Sequence, residues 1–117
     1  MPSAFACTCL HLEPRDIIEH SAIVFEGEVG DDFNELKVTE VFKGRVPSTV
    51  QVRFFLGGPG SCGLSPLGRG NRLVVVADSL NNLGLNVCNT YPQSTFGPGQ
   101  DDWYVALVRD LRARRRQ

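Results

Sequence analysis

No stretch of the chain approaches the roughly 18 consecutive apolar residues that a membrane helix requires, the longest candidate being Leu73-Val74-Val75-Val76-Ala77, so no membrane span is expected. There is no C-x-x-C pair, and with it the spacings of a zinc ribbon or a thioredoxin-like redox site are missing. His11 and His20 are not joined by a His-Glu-x-x-His pattern and read as ordinary surface or helix-end residues. Gly57-Gly58-Pro59-Gly60 lacks the Gly-Lys-Ser/Thr that completes a phosphate cradle. Asp31-Asp32 and Asp101-Asp102 lack the alternating aspartates of a calcium loop, and a turn and a helix start account for them. Ser61, Ser65 and Thr90 have no neighbouring base that spacing identifies. No nucleophile, base and oxyanion donor can be assembled from these residues, so neither an enzyme nor a cofactor is expected.

What is present fits one domain: 117 residues, 42% of them hydrophobic and 21% charged. Twelve Gly and 7 Pro imply many tight turns between short segments, which favours a β-rich fold. The net charge of −1 is unevenly spread, because residues 109–117 hold five Arg and one acid, Asp110. Removing them from the totals of 12 basic and 13 acidic residues leaves 7 and 12 over residues 1–108. An acidic body argues against a phosphate-binding face and hence against nucleic acid, even though Phe54-Phe55 would suit base stacking. The Arg-rich end reads as a solvated tail or a contact for an acidic partner.

The four cysteines, Cys7, Cys9, Cys62 and Cys88, are even in number and read as two disulfides, implying an oxidising compartment. Cys7–Cys9 is sterically poor, since extended neighbours at i and i+2 sit roughly 7 Å apart on one side of the chain. Two pairings stay open, and in each the C-x-C clamps the leading segment across the domain. Ala4-Phe5-Ala6 has the A-x-A form read by signal peptidase and would make Cys7 the first mature residue. Residues 1–6 are therefore expected to be a residual signal segment of an exported protein, secreted, periplasmic or at the cell surface.

Along the chain, residues 14–20 read as a short helix with Pro14 in its first turn and Ile17 and Ile18 facing inward. Residues 22–29 read as a strand with Ile23, Phe25 and Val29 on one side and Glu26 and Glu28 on the other. Residues 33–42 carry Leu36, Val38 and Val41, a spacing that breaks alternation and predicts a bulge near Thr39-Glu40. Residues 49–56 alternate with Val50, Val52 and Phe54 on one face. Residues 72–79 form a hydrophobic central strand, 83–89 a fifth strand after Asn81-Asn82, and 90–100 a loop. Residues 101–115 form the only long helix, with Trp103, Ala106, Leu107 and Leu111 on one stripe and Tyr104 and Val108 beside it. Trp103 is expected to plug the barrel as helix core. The expected fold is all-β with flanking helices, a five-stranded Greek-key barrel of the OB type, with a β-sandwich as the alternative. It forms one domain over 7–117, with 7–90 the barrel core and 101–115 the C-terminal helix.

Several elements occur in the order of a known module: Cys7-Thr8-Cys9, Ala22-x-x-Phe25-x-Gly27-x-Val29, Val38-x-x-Val41-x-Lys43-Gly44, Ser61-Cys62-Gly63 and Val87-Cys88. Over about residues 7–90 the chain resembles the netrin-like module and looks like the inhibitory N-terminal domain of tissue inhibitors of metalloproteinases, in a short bacterial-style form. The resemblance implies an OB-fold barrel with disulfides Cys7–Cys62 and Cys9–Cys88. It further implies a zinc metalloprotease as partner, whose catalytic zinc is chelated by the α-amino nitrogen and carbonyl oxygen of a mature Cys7. Thr8 would enter the specificity pocket, Cys9 and Leu10 would continue the wedge, and Ser61, Cys62 and Gly63 would lie beside it. Such a chelate displaces the water that a catalytic zinc keeps in its open position. Six residues precede Cys7 in the sequence, and a peptide-bond nitrogen is a poor ligand, so chelation requires their removal. The alternative is an exported adhesion or protein-binding module without inhibitory activity.

Overall fold

The structure is a computed structural model and describes residues 13–31, 34–54, 69–86, 88–93 and 102–115. In chain order the elements are α1 (Pro14–His20), β1 (Ile23–Val29), β2 (Glu35–Lys43), β3 (Thr49–Gln51), β4 (Arg53–Phe54), β5 (Arg72–Ala77), β6 (Gly84–Leu85), β7 (Thr90–Pro92) and α2 (Asp102–Arg115). The described residues are mostly β with two helices.

β1 and β5 carry apolar residues on both faces, Phe25 against Val24 and Leu73 and Val75 against Val74. A strand of that kind needs cover on both sides, and the two accordingly pair in the middle of a five-stranded antiparallel sheet of order β3-β2-β1-β5-β7. On the inner face Phe25, Leu36, Val50, Leu73, Val75 and Leu85 form one core. On the other face α1 and α2 cover Val24, Phe42 and Val74 with Ile17, Tyr104, Leu107 and Leu111. β4 and β6 form a separate parallel pair. Neither sheet closes on itself among the described residues.

The bulge expected near Thr39-Glu40 is present. Pairing steps from Glu26 opposite Glu40 to Gly27 opposite Val38, which leaves Thr39 as the extra residue. A second irregularity, between Val24 opposite Lys43 and Phe25 opposite Val41, leaves Phe42 extra and sends its ring into the helix-side core. α1 matches its sequence reading: Pro14 stands in the first turn, and Ile17 is buried while its N–H donates to the Glu13 carbonyl at 3.0 Å.

Other expectations need correction. The third strand is two short pieces that pair with different strands, β3 with β2 up to Val52, whose N–H donates to Asn34 O (2.9 Å), and β4 with β6 from Arg53, whose N–H donates to Leu83 O (2.9 Å). The fifth strand is reduced to β6, and the loop expected over 90–100 begins with β7, which pairs with β5. Pro92 is tolerated there because β7 is an edge strand among the described residues, where a missing N–H costs no ladder bond. Trp103 does not plug a barrel: it is 48% exposed. The buried stripe of α2 is Tyr104, Leu107, Val108 and Leu111, an i, i+3, i+4, i+7 set, and Trp103 lies roughly a quarter turn away from its centre.

Candidate functional site

Of the residues that sequence reasoning marks for function, Cys7, Thr8, Cys9, Leu10, Ser61, Cys62 and Gly63 lie outside the described residues. Cys88 is described, exposed and in the disulfide-bonded state. The turn that carries it is held by asparagine side chains standing in for ladder bonds. Cys88 N–H donates to Asn86 Oδ1 at 2.8 Å, Asn86 N–H to Asn89 Oδ1 at 2.9 Å, and Asn89 Nδ2 to the Gly84 carbonyl at 2.8 Å. Val76 N–H then donates to Asn89 O at 2.9 Å, tying the turn to β5. Short polar side chains compete with the backbone in this way, which is why the strand breaks between β6 and β7. The result is a fixed corner that carries the cysteine.

The glycines and the lysine of the quoted motifs have local reasons. A Cβ on Gly27 would stand 3.2 Å from Leu36 Cβ and 3.3 Å from Leu36 Cδ1, where β1 and β2 approach closely. Gly44 has φ +83°, and a Cβ there would meet Ala22 O at 2.7 Å, so both conformation and space require glycine. Lys43 Nζ donates to the Ile18 carbonyl near the end of α1, an arrangement that satisfies a terminal helix carbonyl and suits the dipole. The Val38-x-x-Val41-x-Lys43-Gly44 element therefore fastens α1 and the start of β1 to β2.

A polar cluster lies between the sheet and α2. Glu26 is 4% exposed, and Tyr104 O–H donates to its Oε2 at 2.7 Å. Thr39 Oγ1 stands 2.7 Å from Glu26 Oε1 and 3.1 Å from the Glu26 carbonyl oxygen, so the bulge residue supplies the second donor. Burial, and then the hydrogen bond and charge of Glu26, push the Tyr104 phenol well above its ordinary range. It stays protonated and serves as a donor, not as an acid or base. About two turns further along α2, Arg112 grips Glu40 with Nε 2.9 Å from each carboxylate oxygen and Nη2 2.7 Å from Oε1. Arg115 Nη2 reaches Glu40 Oε2 at 3.0 Å, Nη1 donates to Val41 O at 2.8 Å, and the guanidinium stands 5.6 Å from the Phe42 ring centroid. The hydrogen bond from Arg112 holds the Glu40 carboxyl below the usual carboxylate range despite partial burial. Two arginines of the basic tail are thus engaged by the protein's own sheet.

Sequence reasoning passed over Glu26, Thr39, Glu40 and the two arginines as a functional group. The available signal was a glutamate between buried apolar neighbours, Phe25 and Gly27, on a central strand. On the exposed flank of α1, Asp16, Glu19 and His20 bring ligand atoms within 4.8 Å of one another, the ordinary closeness of i, i+3, i+4 neighbours on a helix. No protein-family model matches the chain, and no curated protein matches it significantly.

Proposed function

We propose that the chain is an exported, disulfide-stapled netrin-like module that inhibits a zinc metalloprotease once its N-terminus is trimmed to Cys7. The bonded state of Cys88 at a rigid corner is the observation that carries this reading. The strand arrangement supports an OB-type barrel: β4 continues β3 after one residue, β7 follows β6, and the parallel β4–β6 pair lies where a third and a fifth strand would meet. Pairing of Cys9 with Cys88 and of Cys7 with Cys62 would fix the leading segment at two points, so that little ordering entropy remains to be lost when it binds. Cys7 then offers its amine and carbonyl to the protease zinc, Thr8 enters the specificity pocket, and Leu10 with Ser61 and Gly63 extends the contact.

Disulfide mapping by mass spectrometry and inhibition assays test the reading together. The expected results are Cys7–Cys62 and Cys9–Cys88 bonds, with inhibition of a zinc endopeptidase by the form beginning at Cys7 and none by the form retaining residues 1–6. A Cys62–Cys88 bond overturns the fold assignment. Correct bonds without inhibition at micromolar concentration overturn the inhibitor and leave a non-inhibitory exported protein-binding or adhesion module.

A further inference from the structure

Among the described residues β3 is an edge strand, with two residues whose backbone faces away from the sheet. Val38 N–H donates to Ser48 O (2.8 Å) and Val52 N–H to Asn34 O (2.9 Å), and Leu36 pairs with Val50. Ser48, Val50 and Val52 therefore turn their backbone groups toward β2, and antiparallel alternation sends the N–H and C=O of Thr49 and Gln51 the other way. The next outward group, Arg53 N–H, is taken by Leu83 O at 2.9 Å. Pairing on this side thus ends before it reaches Gln51 and Thr49, and among the described residues no strand lies against them. Both residues are exposed. Beside them runs a groove lined by Gln51, Val52, Arg53, Leu80, Asn82 and Leu83, with Val52 and Leu83 as a buried apolar floor.

The charge around this edge is positive although the body of the protein is acidic. Arg45 precedes β3, Arg53 follows it, and Lys37 stands opposite Thr49 in β2; all three are exposed. Among the described residues none of the three is in an ion pair. Of the nearby acids, Asp31 is paired with Arg69 at 2.9 Å, Glu28 of β1 stands opposite Lys37, and Glu35 accepts from the uncharged Gln51 amide at 2.9 Å, which leaves Arg45 and Arg53 as the cations offered to a ligand. A second copy pairing on the same edge would bring two sets of these cations together, which disfavours self-association.

We propose that the free edge of β3 takes up an extended, acidic segment of another polypeptide by strand addition. Its backbone would bond Thr49 and Gln51, an apolar side chain would lie over Val52 and Leu83, and carboxylates would stand beside Arg45 and Arg53. None of these residues is among those assigned to the Cys7 wedge.

The test uses the full chain, labelled for amide NMR, and three probes: a capped Glu-Val-Glu-Val-Glu peptide, its Lys-for-Glu counterpart, and the acidic peptide N-methylated at alternate residues in either phase. The acidic peptide should shift the Thr49 and Gln51 amides and bind about tenfold or more tightly than the lysine peptide, with the preference fading in high salt. One of the N-methylated phases should lose binding. Arg53→Glu should reverse the charge preference, and Thr49→Pro, which removes a donor outside the β2 ladder, should weaken the acidic peptide roughly three- to tenfold. The N-methylated probes and Arg53→Glu interrogate the edge without altering the backbone of β3. Unshifted Thr49 and Gln51 amides at millimolar peptide, equal binding of acidic and lysine peptides, indifference to N-methylation in both phases, or edge-to-edge dimerisation in sedimentation would each overturn the proposal.

Discussion

On the inner side of β1 and β5, Phe25, Leu73 and Val75 meet other hydrocarbon, whereas on the helix side Val24 and Val74 share their cover with the carboxylate of Glu26. The inner core is held by area and shape. The helix layer is held by apolar contact and, in addition, by bonds that work only if each partner is present: Tyr104 and Thr39 on Glu26, Arg112 and Arg115 on Glu40. A buried carboxylate is tolerable only when its oxygens find donors, so the position of α2 is specified more narrowly than hydrophobicity alone would demand. The two faces should consequently fail in different ways.

The largest loss is expected on the inner face. Phe25→Ala removes a fully buried ring from the middle of the central strand and should cost about 3–5 kcal/mol in urea or guanidinium unfolding, with no special dependence on pH. A cost below about 1 kcal/mol would mean that the inner face is loosely packed. On the helix face, Tyr104→Phe keeps the ring and removes one donor, leaving Glu26 Oε2 buried without it, for an expected about 1–3 kcal/mol. In the double variant with Glu26→Leu the Tyr104 change should be nearly neutral, since no carboxylate is left to satisfy. Additive costs in that cycle would show that Tyr104 acts through packing and would erase the contrast between the faces.

The inner face was largely legible in the sequence, and the helix face was not. Alternation in β1 and the broken spacing of Leu36, Val38 and Val41 located the core and the Thr39 bulge, because both are properties of a strand and its nearest partner. The end of the fifth strand was hidden by chemistry between side chain and backbone: Asn86 and Asn89 close a corner that resembles a strand end, after which Thr90 resumes pairing. Glu26 was placed on the correct side of β1, but nothing in its neighbours announces that Tyr104, distant in sequence, will lie over it. The strand edge at Thr49 and Gln51 was illegible for a similar reason, since an edge is defined by which segments fail to arrive.

The phase of α2 is where a small change in one angle altered the reading, and Trp103→Ala tests it. Trp103 contacts Tyr104 edge-on, with centroids 5.9 Å apart and planes at 88°, but about half of its surface is in solvent. Its removal should cost about 1 kcal/mol or less, against about 2–5 kcal/mol for Leu111→Ala on the fully buried stripe. Equal costs would put Trp103 back into the core and shift the helix by a residue.

The smallest effect is the most specific to the helix layer. Glu40 is held below its ordinary value of 4.5 by the hydrogen bond from Arg112 and then by the charges of Arg112 and Arg115. A carboxyl whose folded pKa is depressed adds stability that is complete above its unfolded pKa and is lost as pH falls through the folded one. The stability difference between wild type and Glu40→Gln should therefore be flat near neutral pH, begin to shrink at about pH 4.5, and vanish at lower pH. Because the Arg112 side chain is 52% exposed, the difference at neutral pH should be only about 0.5–1 kcal/mol and should diminish in high salt. A difference unchanged down to about pH 2 would assign Glu40 a packing role and leave Glu26 as the only carboxylate that positions α2.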